Sequence, residues 1–386
     1  MKDRRVRVGL VLMSVLFLAG CSARGLLPAD ESVDIGLEAP QIEFESLFSM
    51  RIGQSQADGL RLRPVLADGA LYAASVDGRV VALDPASGET RWAQDLDVRV
   101  AGALGAGDGL LALGTASGEV IALERDGGAV RWRQSLSSEV LAPPAVGQAS
   151  VVVRTADGHV FALDAANGEQ RWLYSRNVPA LTLRGHSSPV LVNDGVVAGF
   201  DNGRLSALDL TTGSAAWEST VAVPEGRTDL ARMVDIDADP LVDRGDLFAG
   251  AYQGRVAGVA LGSGEVAWAR ELSVTGGLAV DDERLYVTDA QGRVWALDRR
   301  NGASVWRAEK LRGLRLAAPS VAGEYLLVAA SDGSINALDR RNGELVGRRT
   351  VGSAGITVKP LVADGRVYLQ DLAGRLHAIG INDKDD

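Results

Sequence analysis

The chain has 386 residues, of which 46 are glycine and only one is cysteine, and its formal net charge is −10. This composition is typical of a globular protein that needs many tight turns. The acidic balance argues against a nucleic-acid partner, which requires a basic surface, and a single cysteine excludes an internal disulfide.

Residues 1–20 are predicted to be a lipoprotein signal peptide. A basic start is followed by an apolar stretch, Val8 to Leu18, that is too short to span a bilayer comfortably. Leu18-Ala19-Gly20-Cys21 comes next and resembles a bacterial lipobox, which implies cleavage before Cys21 and covalent lipid on that residue. Cleavage would leave a mature chain with a net charge near −13, because the removed residues carry +3. An ordinary secretory signal with an incidental Cys21 is the alternative.

Residues 21–42 read as a polar tether that follows the lipidated cysteine. The next segment, Glu45 to Ile52, matches the outer strand of a repeat that recurs to the end of the chain, whereas the last copy stops before its own version of that strand. We therefore predict that residues 43–381 form one domain whose N-terminal strand completes the last repeat. Residues 382–386 are predicted to be a polar tail.

The repeat is anchored by the glycine of an Asp-Gly or similar turn. Eight anchors are spaced by 38 to 51 residues, and a mean period in the low forties matches one four-stranded blade of a β-propeller. The sequence thus predicts an all-β, eight-bladed β-propeller with four antiparallel strands per blade. The anchors are Gly78, Gly118, Gly158, Gly203, Gly254, Gly292, Gly333 and Gly374.

Each copy continues with features of a β-hairpin. A short apolar run such as Arg79 to Leu83 is strand-length, and the turn after it is often Asn-Gly, the strongest short hairpin signal. Six copies then carry a tryptophan four residues beyond the turn glycine, and the seventh has Gly347 instead. We interpret the tryptophans as packing residues between blades. They are Trp92, Trp132, Trp172, Trp217, Trp268 and Trp306.

Two intervals of the repeat are longer than the others. The first insertion is residues 177–189 and the second insertion is residues 221–240, and they occur in consecutive repeats. Insertions in repeat proteins map to loops, often on the binding face. Both mix apolar residues with charge, for example Leu181 with Arg184 and Met233 with Asp235. This composition is typical of a protein-binding patch, and it fits solvated loops with locally packed leucines equally well.

The sequence gives little support for a catalytic site or a metal site. A hydrolytic triad needs a histidine beside a nucleophile, and His159 and His377 occupy repeat positions held elsewhere by other residues, which predicts surface or channel-lining roles. Asp235, Asp237 and Asp239 imitate the first half of a calcium loop, but Pro240 stands where such a loop needs glycine. No metal is predicted.

The repeat itself is similar to that of pyrroloquinoline-quinone dehydrogenases. The similarity rests on the Ala-Leu-Asp-x-x-x-Gly-Glu-x-x-Trp pattern, present at Ala82 to Trp92 and Ala162 to Trp172. The resemblance implies eight blades here too, but it also implies an active site with a vicinal cysteine pair, which this chain lacks. The resemblance therefore supports the fold and not the reaction.

A lipobox, a tether and an eight-bladed quinoprotein-like propeller together resemble the BamB lipoproteins of the β-barrel assembly machinery. Residues 180–185, Ala-Leu-Thr-Leu-Arg-Gly, are similar to that family's Ala-Leu-x-Leu-Arg-Gly segment, and residues 232–237 to its Arg-x-x-Asp-x-Asp segment. The resemblance implies a surface that docks onto the periplasmic POTRA domains of BamA. That surface would comprise Leu181, Leu183, Arg184, Asp235 and Asp237.

The same resemblance implies a non-enzymatic scaffold on the periplasmic face of the outer membrane. Its partners would be BamA, the rest of the BAM complex and unfolded outer-membrane proteins, and it would carry no cofactor besides the lipid on Cys21. The residues alone leave two alternative functions open, namely that of a quinone-dependent dehydrogenase and that of a periplasmic propeller that binds a small ligand.

Overall fold

Eight antiparallel sheets of four strands form the structure, a computed structural model that describes residues 35, 37, 40–56, 59–176, 179, 181–182, 187–225 and 227–383. Within those residues the one helical element is a short 3-10 helix, Leu230–Arg232. None of their helical structure is long and apolar enough to cross a membrane. The predicted eight-bladed β-propeller is confirmed.

The strands are numbered in chain order and the blades in the order in which their first strands occur. Blade 1 contains β2 (Val65–Ala67), β3 (Ala70–Ala74), β4 (Arg79–Leu83) and β5 (Thr90–Asp95), and blade 2 contains β6 (Val100–Gly107), β7 (Leu110–Thr115), β8 (Glu119–Glu124) and β9 (Val130–Ser135). Blade 3 contains β10 (Ala145–Gly147), β11 (Ser150–Arg154), β12 (His159–Asp164) and β13 (Gln170–Ser175), and blade 4 contains β14 (Val190–Val192), β15 (Gly195–Gly199), β16 (Arg204–Asp209) and β17 (Ala215–Thr220). Blade 5 contains β18 (Leu241–Asp243), β19 (Asp246–Gly250), β20 (Arg255–Ala260) and β21 (Val266–Glu271), and blade 6 contains β22 (Val274–Val280), β23 (Arg284–Asp289), β24 (Val294–Asp298) and β25 (Ser304–Ala308). Blade 7 contains β26 (Ser320–Ala322), β27 (Tyr325–Ala329), β28 (Ser334–Asp339) and β29 (Leu345–Thr350), and blade 8 contains β30 (Leu361–Ala363), β31 (Arg366–Gln370), β32 (Arg375–Asp383) and β1 (Ile42–Arg51).

The two ends of the chain close the ring. β1 pairs antiparallel with β32 and supplies the outer strand of blade 8, as predicted, although it begins at Ile42 rather than Glu45. β32 runs to Asp383, so the predicted polar tail begins inside a strand. Ile35 and Leu37, placed in the predicted tether, pack against the core between blades 6 and 7. The predicted lipidation site, Cys21, lies outside the described residues.

Tryptophans fasten each of blades 1 to 6 to the blade that follows it. The Trp172 indole of blade 3 covers Gly213 in the outer hairpin turn of blade 4, where a Cβ would lie 2.6 Å from the ring. Gly213 has φ +71°, which glycine adopts without strain. The indole Nε1–H also donates to the Leu210 carbonyl oxygen at 2.8 Å. The same pair of contacts recurs at Trp92, Trp132, Trp217, Trp268 and Trp306.

The missing tryptophan of blade 7 has a structural reason. In blades 1 to 6 the indole lies on the turn between the third and fourth strands of the following blade. Blade 8 has no such turn, because its third and fourth strands, β32 and β1, come from opposite ends of the chain. Ile42 of β1 occupies the space beside Gly347 instead, and the Gln41 N–H donates to the Val346 carbonyl oxygen at 2.8 Å.

One face of the ring carries both insertions. Every fourth strand continues there into the first strand of the next blade, and the anchor turns between second and third strands lie on the same side. The first insertion follows β13 and the second follows β17, so each occupies one of these connections on adjoining sectors of the ring. We call this side the insertion face.

Candidate functional site

Large apolar side chains are exposed on both insertions. Leu181 in the first is 42% exposed, and in the second Val223 is 57% and Leu230 is 61% exposed. The latter two are the most exposed large hydrophobic side chains in the part of the chain that the structure describes. We call Leu181, Val223 and Leu230 the insertion patch. Exposed apolar groups rimmed by polar residues are typical of protein-binding surfaces.

The second insertion changes direction after its 3-10 helix. The Arg232 N–H closes this turn by donating to the Thr228 carbonyl oxygen at 3.1 Å. From Met233 onward the chain runs extended between blades 4 and 5, where the Ile236 N–H donates to the Phe200 carbonyl oxygen at 3.3 Å. The Tyr252 N–H from blade 5 donates to the Asp235 carbonyl oxygen at 2.9 Å. The insertion is thus anchored to both blades.

The residues predicted to form a docking surface are not all exposed. Leu181 is exposed, whereas Asp235 is 0% and Asp237 is 4% exposed. Leu183 and Arg184 lie outside the described residues. The family resemblance implied that both carboxylates reach the surface, but the segment that carries them packs between blades 4 and 5. The two carboxylates therefore lie buried beneath the insertion face.

Asp235 and Asp237 belong to a buried charged cluster. Together with Asp201 they bring one carboxylate oxygen each to within 4.8 Å of one another. The Arg154 guanidinium, itself 1% exposed, donates from Nη2 to Asp201 Oδ1 at 2.5 Å and lies over the Phe200 ring. One buried guanidinium thus faces three buried carboxylates beneath the second insertion.

Burial of several like charges shifts their protonation. Burial raises the pKa of Asp237 to about 7, Arg61 opposes the shift, and the carboxylates of Asp235 and Asp201 add to it. A carboxyl with such a pKa is partly protonated near neutral pH and does not carry a full charge there. Partial protonation of Asp237 thus reduces the negative charge that Arg154 and Arg61 must balance.

The cluster differs from the calcium loop considered from the sequence. Asp239 turns away from Asp235 and Asp237, because its Oδ2 pairs with Arg63 Nη1 at 2.9 Å. Its Oδ1 accepts the Ser188 N–H at 2.7 Å. The carboxylates of Asp235, Asp237 and Asp239 therefore do not point toward one common site. Among the described residues, the carboxylates close enough together to hold a cation are those of Asp201, Asp235 and Asp237, and Arg154 already supplies positive charge to that cluster.

The repeat position of His377 predicted a side chain on the surface or on the channel wall, and this prediction is wrong. The side chain is buried in blade 8, with Nε2 2.9 Å from Asp371 Oδ2 and Nδ1 3.1 Å from Ser49 Oγ. The order resembles a Ser-His-Asp triad, but the equivalent Trp295 in blade 6 donates to Asp289 at 2.8 Å in the same way. The interaction therefore ties the third strand of a blade to its preceding turn.

Sequence reasoning missed the two most exposed members of the insertion patch. It singled out Met233 as the apolar contact of the second insertion, but this side chain is buried. Leu230 stands in a run of charged residues and Val223 precedes Pro224-Glu225, a turn-like context that favours exposure. The sequence signal that could have indicated their exposure was a single large apolar residue within a polar segment.

Comparison with known proteins places these features in one family. A family profile described as outer membrane protein assembly factor BamB matches residues 76–308 and 305–385. The outer membrane protein assembly factor BamB of Alkalilimnicola ehrlichii is 53% identical over 379 residues, covering 98% of this chain and 97% of that protein. That of Pseudomonas aeruginosa is 43% identical, covering 96% and 98%.

Solved structures agree with this placement. The crystal structure of BamB from Moraxella catarrhalis superposes with a TM-score of 0.81 at 28% identity, covering 88% of this chain and all of that one (100%). A quinohemoprotein alcohol dehydrogenase from Comamonas testosteroni gives a TM-score of 0.69 at 14% identity, covering 88% and 76%, and shows the shared fold alone. The chain belongs to the BamB family of outer membrane protein assembly factors.

Proposed function

We propose that this outer membrane protein assembly factor acts as a non-enzymatic scaffold that docks onto the POTRA domains of BamA through its insertion face. The observation that carries the proposal is the insertion patch, in which Leu181, Val223 and Leu230 are exposed on adjoining connections of an otherwise regular ring. Leu183 and Arg184 of the first insertion are part of the proposed contact. Apolar anchors and an arginine are the residue types that dominate the energetics of protein interfaces.

The buried carboxylates act in this proposal as supports and not as contacts. Asp235 and Asp237 lie in the segment that follows Leu230, and Arg154 faces their cluster from blade 3. A substitution there would displace the second insertion and weaken docking indirectly. The proposed contact surface therefore contains Val223 and Leu230 in place of the Asp235 and Asp237 that the family resemblance suggested.

Anchoring at the membrane would strengthen the association. Lipid on Cys21 would hold the propeller on the periplasmic face of the outer membrane, beside the other members of the assembly machinery and their unfolded outer-membrane substrates. Tethering two partners to one surface raises their effective concentration, so a modest interface suffices for stable association. Several acyl chains are enough for stable anchoring, whereas one is marginal.

The test is co-purification from detergent-solubilised outer membranes. The wild type should retain BamA, and Leu183→Ala and Arg184→Ala should each release most of it while the melting temperature stays unchanged. Quinone-dependent oxidation of alcohols by the purified chain with calcium and pyrroloquinoline quinone would instead favour an enzyme. Retention of BamA by both variants would refute docking through the first insertion.

A further inference from the structure

The centre of the ring contains a cavity of about 810 Å³. Its wall is formed by the segments that enter the first strands of all eight blades, so it lies toward the insertion face. Most of these residues are leucine, valine, proline, alanine or glycine, for example Leu60, Leu104, Pro144 and Leu278. Small-molecule sites have volumes of roughly 300–1,000 Å³ and mostly apolar walls with a few polar groups.

Four charged side chains interrupt this apolar wall. Arg61 and Arg63 come from the segment before blade 1, Lys359 from blade 8 and Asp239 from the entry to blade 5. Blades 1 and 5 are opposite each other in a ring of eight, and Arg63 Nη1 reaches Asp239 Oδ2 at 2.9 Å. Arg61 Nη1 donates to the Asp237 carbonyl oxygen at 2.9 Å. The charged groups therefore meet near the axis of the channel.

Positive charge exceeds negative charge at this point. Arg61 lies beside the Asp237 carboxyl, which leaves Arg63 and Lys359 facing the one carboxylate that the described residues place on the wall. Both oxygens of that carboxylate, Asp239, are engaged, one by Arg63 and the other by the Ser188 N–H. Lys359 Nζ donates to the Leu278 carbonyl oxygen at 3.2 Å, and no carboxylate of the described residues lies within ion-pair distance of it. A cation in an apolar enclosure is costly without a counter-charge.

We infer that the central channel binds a small amphiphilic carboxylate, whose anionic group pairs with Lys359 and whose apolar body packs on the surrounding wall. The carboxylate supplies the counter-charge that the channel lacks. The leucine, valine and proline side chains offer the remainder of the ligand an apolar surface, on which each buried methylene strengthens binding by roughly fourfold. This inference is independent of docking to BamA.

The protonation of Lys359 gives the site a measurable signature. Burial lowers the pKa of Lys359 to about 8, repulsion from Arg63 adds to the shift, and Asp239 opposes it. Burial alone would raise the pKa of Asp239, but Arg63 and the Ser188 N–H outweigh it and keep this pKa below its ordinary value. Carboxylate affinity should therefore fall above about pH 8 as Lys359 loses its proton.

The experiment is calorimetric titration of decanoate into the mature chain carrying Cys21→Ser, which needs no detergent. We expect saturable binding of one decanoate at about pH 7, weakened at least roughly tenfold by Lys359→Met, because a buried charge-assisted contact is lost. Lys310→Met removes an exposed lysine and is the matched control, expected to bind as the wild type does. Lys359→Arg should keep the affinity at neutral pH and abolish its loss above about pH 8.

Three results would overturn the inference. Equal decanoate affinity of the wild type and Lys359→Met would show that Lys359 is not the anion site. Equal affinity for decyltrimethylammonium would remove the preference for an anion, and equal affinity for acetate would remove the role of the apolar wall. If Lys359→Met does not fold, the pH profile of Lys359→Arg decides alone, since an unchanged loss of affinity above about pH 8 would contradict the role of Lys359.

Discussion

Restoring the repeat's tryptophan in blade 7 should destabilise the protein. Gly347 stands where six other blades have tryptophan, so a consensus argument favours Gly347→Trp. The structure argues the opposite. A side chain at this position would collide with Ile42 of the ring-closing strand, whose Cδ1 would lie 3.0 Å from the new Cβ. Blade 8 also lacks the turn that receives the indole in other blades.

The size of the effect follows from the strand that would be displaced. Ile42 and Phe44 are buried in the core between blades 7 and 8. Fully burying such side chains contributes about 1.5–3 kcal/mol each, so partial to complete displacement of this end of β1 would cost about 2–6 kcal/mol. For a folded domain of this length, about 1 kcal/mol lowers the melting temperature by roughly 1.4 °C, which predicts a fall of about 3–8 °C.

The assay is thermal and urea unfolding of the unlipidated chain in a double-mutant cycle. Ile42→Ala removes the atoms that collide, so Gly347→Trp combined with Ile42→Ala should be less destabilised than the sum of the two single variants. A favourable coupling of about 1 kcal/mol or more is expected for residues in direct contact. An unchanged or raised melting temperature of Gly347→Trp would refute our explanation of the missing tryptophan.

The other stability predictions concern the staples and the buried cluster. Trp172→Phe should cost about 1–3 kcal/mol in urea unfolding, because the buried Leu210 carbonyl loses its donor, and no loss would argue against the staple. Arg154→Met should cost about 3–5 kcal/mol, since it leaves buried carboxylates without their guanidinium, and a stability equal to the wild type would contradict the cluster. The folded-state pKa of Asp237 is raised from 3.8 to about 7, so its protonated form contributes stability that is fully present below about pH 4 and is lost as pH rises through 7. Asp237→Asn should remove this slope, worth about 4 kcal/mol across the window, while exposed Asp229→Asn should keep it; equal slopes in all three proteins would refute the assignment.

The regular part of the fold could be predicted from sequence because its signals are local and repeated. A turn glycine, a strand-length apolar run and a tryptophan recur at a fixed spacing, and each reflects one backbone requirement within one blade. Even the ring closure was readable, because the Glu45 to Ile52 segment and the incomplete last copy complement each other. Its start was misplaced, since nothing local distinguishes Ile42 from the end of a tether.

The site was harder to predict because exposure in an insertion depends on distant packing. Alternating residues from Met233 to Asp237 have the pattern of a half-exposed strand, but blades on both sides bury them. Which residues face Asp237 also depends on long-range contacts, since Arg154 and Asp201 come from other blades. Neither can be read from the spacing of the insertion itself.

The most direct test of the central claim is the dissociation constant of the unlipidated chain for the purified POTRA region of BamA. Leu181→Ala combined with Leu230→Ala should weaken binding at least roughly tenfold, because exposed apolar anchors carry much of an interface's energy. Leu173→Ala is the matched control, since Leu173 is 44% exposed on the outer strand of blade 3, away from the insertion patch. We predict wild-type affinity for this control. Wild-type affinity for the double variant as well would contradict docking through the insertion face.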